Sequence, residues 1–101
     1  MKPIDRRKLM AAINRACHQA GLLLEEDPDA GGGSHGSLLF SEPNGARPIR
    51  IIIVYAREIS PGVQRAILQS LGLRAQNDEQ SPAARALAQR VHDLLQDCFN
   101  A

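Results

Sequence analysis

The run Ile49-Arg50-Ile51-Ile52-Ile53-Val54-Tyr55 restricts the fold of this chain more than any other stretch. Branching at Cβ stiffens isoleucine and valine and suits them to a pleated strand. A shorter strand-like run, Ser37-Leu38-Leu39-Phe40-Ser41, precedes it, and Pro43-Asn44-Gly45-Ala46 lies between. Turn residues between two such runs predict an antiparallel hairpin. Alternation puts Ile49, Ile51, Ile53 and Tyr55 on one face of the second strand and Ile52 and Val54 on the other. An antiparallel sheet covered by helices on one side needs only one apolar face. The second face therefore calls for a cover, from this chain or from another.

Helical signals flank the hairpin. Asp5 can cap a helix running to about Ala20, with Leu9, Ile13, Cys17 and Ala20 at helical spacing and Gly21 as its stop. The row Arg6-Arg7-Lys8 opposes the positive end of that helix dipole. A phosphate contact or a solvated face would each account for it. Leu22-Leu23-Leu24-Glu25-Glu26 reads as a short strand after the Gly21 break. Residues 27–37 read as a loop whose glycines, Gly31 to Gly33, let a ligand approach the backbone or simply supply slack. Ser60-Pro61 starts another helix, with Val63, Ile67, Leu68 and Leu71 as its buried stripe and Gly72 as its end. Residues 74–80 are polar and loop-like. Ser81-Pro82 opens a last helix to about Cys98, whose stripe is Leu87, Val91, Leu94, Leu95 and Cys98. That stripe must be buried. It can cover Ile52 and Val54, or pair with a second copy or a partner. The order is α-β-β-β-α plus one helix, an α+β fold, with residues 1–74 as the main body and 75–101 as a linker and amphipathic helix.

Composition excludes several function classes. A chain of 101 residues makes one domain. Its formal net charge of +1 divides into ten Lys/Arg and seven Asp/Glu over residues 1–74, against two and four over 75–101. A mildly basic body thus carries an acidic tail, which permits RNA contact without demanding it. Phe40, Tyr55 and Phe99 are too scattered for a row of base-stacking aromatics. Cys17 and Cys98 have neither disulfide-framework nor metal-ligand spacing, so two reduced thiols in a cytoplasmic protein are expected. No signal peptide and no membrane-spanning run is expected. No carboxylate dyad, serine triad, Walker loop or Rossmann loop stands out. His18, near the end of the first helix, reads as a favourable charge for the dipole there, and His92 as a surface or interface residue. His35, following Gly33-Ser34 at the start of a strand, reads on its own as a loop-to-strand histidine with no special role.

Gly33-Ser34-His35 opening a strand, the Pro-Asn-Gly hairpin, and Glu58-Ile59-Ser60-Pro61-Gly62 leading into Ile67-Leu68-Gln69-Ser70-Leu71-Gly72-Leu73 form a combination that resembles the HicA toxins. These are the small mRNA-cleaving halves of bacterial HicA–HicB toxin–antitoxin modules, and the resemblance runs in element order over roughly residues 5–74. It implies a double-stranded-RNA-binding-domain-like fold, three antiparallel strands with helices on one face, here with an extra C-terminal helix. It implies a metal-independent endoribonuclease with no cofactor, whose catalytic residue matches His35. It also implies an mRNA substrate and a HicB-type antitoxin that binds across the histidine. RNA supplies its own nucleophile, the 2′-hydroxyl, so one imidazole can serve as general acid or base without a metal. Gly33 and Ser34 would let the phosphodiester come close, and Arg47, Arg50 or Arg57 would neutralise its charge. The chain departs from the family pattern in places. Gly32 stands where a lysine is usual, Ile52, Ile53 and Val54 stand where a Pro-x-His often ends the third strand, and Gly36 and Ser37 follow the motif histidine. An alternative on the same fold is a non-catalytic protein- or RNA-binding module, with a homodimer formed through strand 49–55 or helix 82–98.

Overall fold

A computed structural model describes residues 1–27, 35–45, 47–54 and 56–100. A two-residue strand, β1 (Ile4–Asp5), leads straight into helix α1 (Arg6–Ala20). Asp5 caps that helix, its carboxylate accepting from the N–H groups of Arg7 at 2.9 Å and Lys8 at 3.1 Å. The Lys8 N–H does most to hold the Asp5 carboxyl below its ordinary value. A negative cap thus offsets the basic row behind it. At the far end Gly21 takes φ +72°, a backbone region that only glycine enters freely. The Gly21 N–H donates to the His18 carbonyl and the Leu22 N–H to the Cys17 carbonyl, while Leu22 and Cys17 are both buried. This is a Schellman ending with its apolar contact.

Three strands follow, β2 (Leu23–Asp27), β3 (His35–Ser41) and β4 (Ile49–Val54), in an antiparallel sheet of order β2-β3-β4. Between β3 and β4 the Gly45 N–H donates to the Glu42 carbonyl at 3.0 Å, closing a turn with Pro43 and Asn44 at its centre. A Cβ on Gly45 would stand 3.2 Å from the Glu42 Cβ, which is why glycine suits that place. The pairings Leu38↔Ile51 and Phe40↔Ile49 put these side chains, with Ile53, on one buried face. The opposite face presents Leu23, 55% exposed, and Ile52, 50% exposed.

Beyond β4, β5 (Glu58–Ile59) pairs antiparallel with β1, a two-stranded clip that the sequence pattern does not announce. Helix α2 (Pro61–Ala75) begins at Ser60, whose Oγ accepts from the Val63 N–H at 3.2 Å. Helix α3 (Pro82–Phe99) begins in the same way, with Ser81 Oγ accepting from the Ala84 N–H. It packs along α2 and against α1. Its Leu87, Val91, Leu95 and Phe99 join Leu9 and Ile13 of α1, Leu68 and Leu71 of α2, and the inner sheet face in a single core. Each such side chain contributes roughly 1.5–3 kcal/mol on burial. Two arginines of α3 complete the other helix ends. Arg90 donates to the Ala20 carbonyl at 2.8 Å and pairs with Glu42 at 3.4 Å, and Arg85 donates to the Ala75 carbonyl at 3.1 Å. Guanidinium groups at C-terminal carbonyls satisfy orphan acceptors and oppose the negative dipole end.

Several expectations need correction. Helix α3 does not lie over Ile52 and Val54; its apolar stripe is absorbed between α1 and α2, and the outer sheet face keeps Ile52 in the open. Gly72 does not end α2, which runs on to Ala75. A mid-helix glycine costs about 1 kcal/mol relative to alanine, and the packing of Leu71 before it and Ala75 after it outweighs that. Ala20 is exposed rather than part of the α1 stripe. Strand β2 runs to Asp27 and β3 starts at His35, so the loop expected over 27–37 is strand at both ends. Tyr55, placed at the end of the strand by its pattern, and the Gly31–Gly33 run lie outside the described residues.

Candidate functional site

Side chains alternate along β3, so His35, Ser37 and Leu39 share the outer face with Val54, Ile52 and Arg50, their partners on β4. On the other flank Asp27 stands opposite Ser37. His35 is therefore the diagonal neighbour of Asp27, about 7–8 Å away between equivalent atoms in such a lattice. The imidazole is half-buried at the end of the sheet. Ser37 is fully buried between Asp27 and Ile52, and its Oγ has no hydrogen-bond partner among the described residues. A buried hydroxyl left in that condition costs about 1–3 kcal/mol. Gln64 Oε1 shares that condition among the described residues, and an ordered water or a ligand is one way in which such a group is satisfied.

The arginines expected to meet phosphate are not gathered in one place. Arg57 lies three residues beyond Val54, hence within about 11 Å of it along the chain, at the His35 end of the sheet. There it joins Arg6 and Arg7 around a cavity of about 440 Å³, with Asp5 as the only acidic group lining it among the described residues. The Arg6 N–H donates to the Arg57 carbonyl at 3.0 Å, which fixes the start of α1 beside the approach to β5. Three guanidiniums at a helix N-terminus form a surface suited to an anion. Arg50 is exposed on the same outer face as His35, about 13 Å further along β4. Arg47 is exposed at the hairpin end, beyond the opposite end of β4 from His35. Gly33 and Ser34 lie outside the described residues.

Sequence reasoning overlooked two polar side chains. Gln64 is fully buried, and its Nε2 donates to the carbonyls of Lys2 at 2.7 Å and Ile59 at 3.1 Å. It ties the N-terminal segment to β5 and the start of α2. Only its place next to the buried stripe, one residue after Val63, hints at that role. Arg74 Nη1 donates to the Arg50 carbonyl at 3.2 Å, across the outer edge of β4.

The remaining titratable groups lie elsewhere. His92 Nδ1 sits 2.9 Å from Asp93 on α3 and is the main cause lowering the Asp93 carboxyl. His18 occupies the last turn of α1. Burial pushes the Cys17 thiol up to about 11, with the Cys98 thiol of α3 as the second cause. Cys98 is raised too, by burial first and the Asp97 carboxylate next. Both cysteines are free and buried. No group of three or more His, Cys, Asp or Glu could hold a metal ion among the described residues. Among them no helix is long and apolar enough to cross a membrane.

No family model, no curated protein and no solved structure matches the chain.

Proposed function

We propose that this α+β chain is a small HicA-like endoribonuclease on a double-stranded-RNA-binding-domain-like scaffold. In this reading His35 is the general acid/base for attack of a ribose 2′-hydroxyl on the adjacent phosphate. The observation that carries the reading is the position of His35: half-buried at the end of the outer sheet face, two residues before Ser37, whose buried hydroxyl has no hydrogen-bond partner among the described residues. The Arg6, Arg7 and Arg57 group at the same end supplies positive charge for the RNA backbone, and Arg50 supplies more along the face. Proton transfer by one positioned imidazole is worth about 10²–10⁴-fold in rate. The substrate is cytoplasmic mRNA, and a HicB-type antitoxin silences the enzyme by covering the outer face. Leu23 and Ile52 on that face would be buried by such a protein.

Cleavage of a mixed-sequence RNA in EDTA, wild type beside His35→Ala, tests this. Cleavage lost in a variant that still folds is the expected result. Intact RNA with the wild type would leave the second reading, a binding module without catalysis.

A further inference from the structure

We propose that the outer edge of β4 and the flank of α2 form a groove that captures an extended, acidic peptide segment by strand addition. Strand β4 ends the sheet, and no backbone hydrogen bond reaches its outer edge among the described residues. The direction of its free groups follows from one contact. The Arg50 carbonyl meets Arg74 on the side away from β3. Both backbone groups of a residue in an antiparallel strand point the same way, and the direction alternates along the strand. Ile52 and Val54 therefore also direct N–H and C=O outward, while Ile49, Ile51 and Ile53 bond to β3. Arg74 occupies the place that an incoming strand's N–H would take.

Such an edge is normally shielded. Here α2 runs beside it, and a groove of about 300 Å³ lies between them. Its α2 wall carries Val63, Ala66, Ser70 and Arg74, one stripe at helical spacing, whose small central members leave room for another backbone. The floor is apolar and Arg50 and Arg74 stand at the rim, with no carboxylate lining it among the described residues. That charge selects the occupant. An added strand places alternate side chains against α2, where apolar groups fit, and the others on the outer face beside Arg50, where a carboxylate fits. When the new N–H takes the Arg50 carbonyl, Arg74 is released to meet a second carboxylate. A second copy of this chain fits less well, because its own α2 would have to enter the same space and its β4 brings arginine rather than acid.

The test uses the full chain and two blocked peptides, one alternating valine with glutamate and one alternating valine with lysine. No RNA is involved, so the outcome is independent of the ribonuclease reading. In ¹⁵N-labelled protein the glutamate peptide should shift the Arg50, Ile52 and Val54 amides and slow their hydrogen exchange, and the lysine peptide should not. Ala66→Trp, which fills the groove from an exposed helical position, should weaken binding by about tenfold or more. Ile52→Pro removes an outward N–H without touching the β3 ladder and should do the same. Arg50→Glu combined with Arg74→Glu should reverse the peptide preference, which a merely misfolded variant would not do. Shifts confined to the Arg6, Arg7 and Arg57 corner would overturn the proposal. So would equal binding of both peptides, no binding, or a concentration-dependent dimer that protects the same amides.

Discussion

His35 stands directly opposite Val54 in the register of β3 and β4, and both side chains emerge on the outer face of the sheet. Val54 is also the position matching the third-strand histidine that is common in the family the sequence resembles. A histidine there would face His35 across the pair, close enough for one imidazole to take a proton while the other gives one. Val54→His should therefore raise RNA cleavage, by about tenfold or more if both protons are handled. Loss of that gain when His35→Ala is added would show that the two act together. Unchanged cleavage in Val54→His would mean that this face is not where the chemistry occurs.

Helix α3 completes the core that α1, α2 and the inner sheet face would otherwise leave open. Leu95, 2% exposed, is a test of that dependence. Leu95→Ala should cost about 2–5 kcal/mol in urea unfolding, from lost transfer energy and the cavity left behind. A chain truncated before Ser81 should aggregate or populate an expanded state. A loss below about 1 kcal/mol in Leu95→Ala, well under the range for a buried leucine, would mean that α3 is an appendage.

Gln64 holds the Lys2 and Ile59 carbonyls with one amide group. Gln64→Leu keeps the volume nearly constant and leaves both acceptors without that donor. The expected cost is about 1–3 kcal/mol, with amide exchange at Ile4, Asp5, Glu58 and Ile59 accelerated before that of β3 and β4. Equal protection in variant and wild type would remove Gln64 from any role in holding β1 against β5.

The thiols make stability depend on alkaline pH. Burial pushes the Cys17 thiol from 9.0 up to about 11 on folding, so well below pH 9 both states carry the proton and Cys17 adds no pH dependence. Above it the unfolded chain ionises first, and stability falls as pH climbs from 9 towards about 11. The urea midpoint should be flat from pH 7 to 9 and drop beyond, and Cys17→Ala should flatten the drop. Alkylation of both cysteines by iodoacetamide should be slow until the protein unfolds.

Local chemistry made much of this fold legible. Asp5, Ser60-Pro61, Ser81-Pro82 and Gly21 act as the caps and stop their residue types predict, and the Pro43-Asn44-Gly45 turn joins two antiparallel strands. Errors arose where long-range packing decides. Gly72 is a stop by propensity, yet α2 passes through it. The α3 stripe was equally compatible with the sheet's second face and with the helices, since periodicity says that a face is buried but not against what. The clip of Ile4 against Ile59 and the Gln64 contact with Lys2, 62 positions away, leave almost no mark on local sequence. The same holds for the site. His35 stands out only through the resemblance of Gly33-Ser34-His35 to a family motif, and the company of Arg57 with Arg6 and Arg7, and the diagonal of Asp27, depend on register and topology.

The most direct measurement is the chemistry of the RNA ends left by purified protein in EDTA, with His35→Gln as control. A histidine acting on the 2′-hydroxyl predicts 2′,3′-cyclic phosphate and 5′-hydroxyl ends from the wild type, and none from a folded His35→Gln variant. Cleavage that persists in the variant, or ends bearing a 5′-phosphate, would contradict the account.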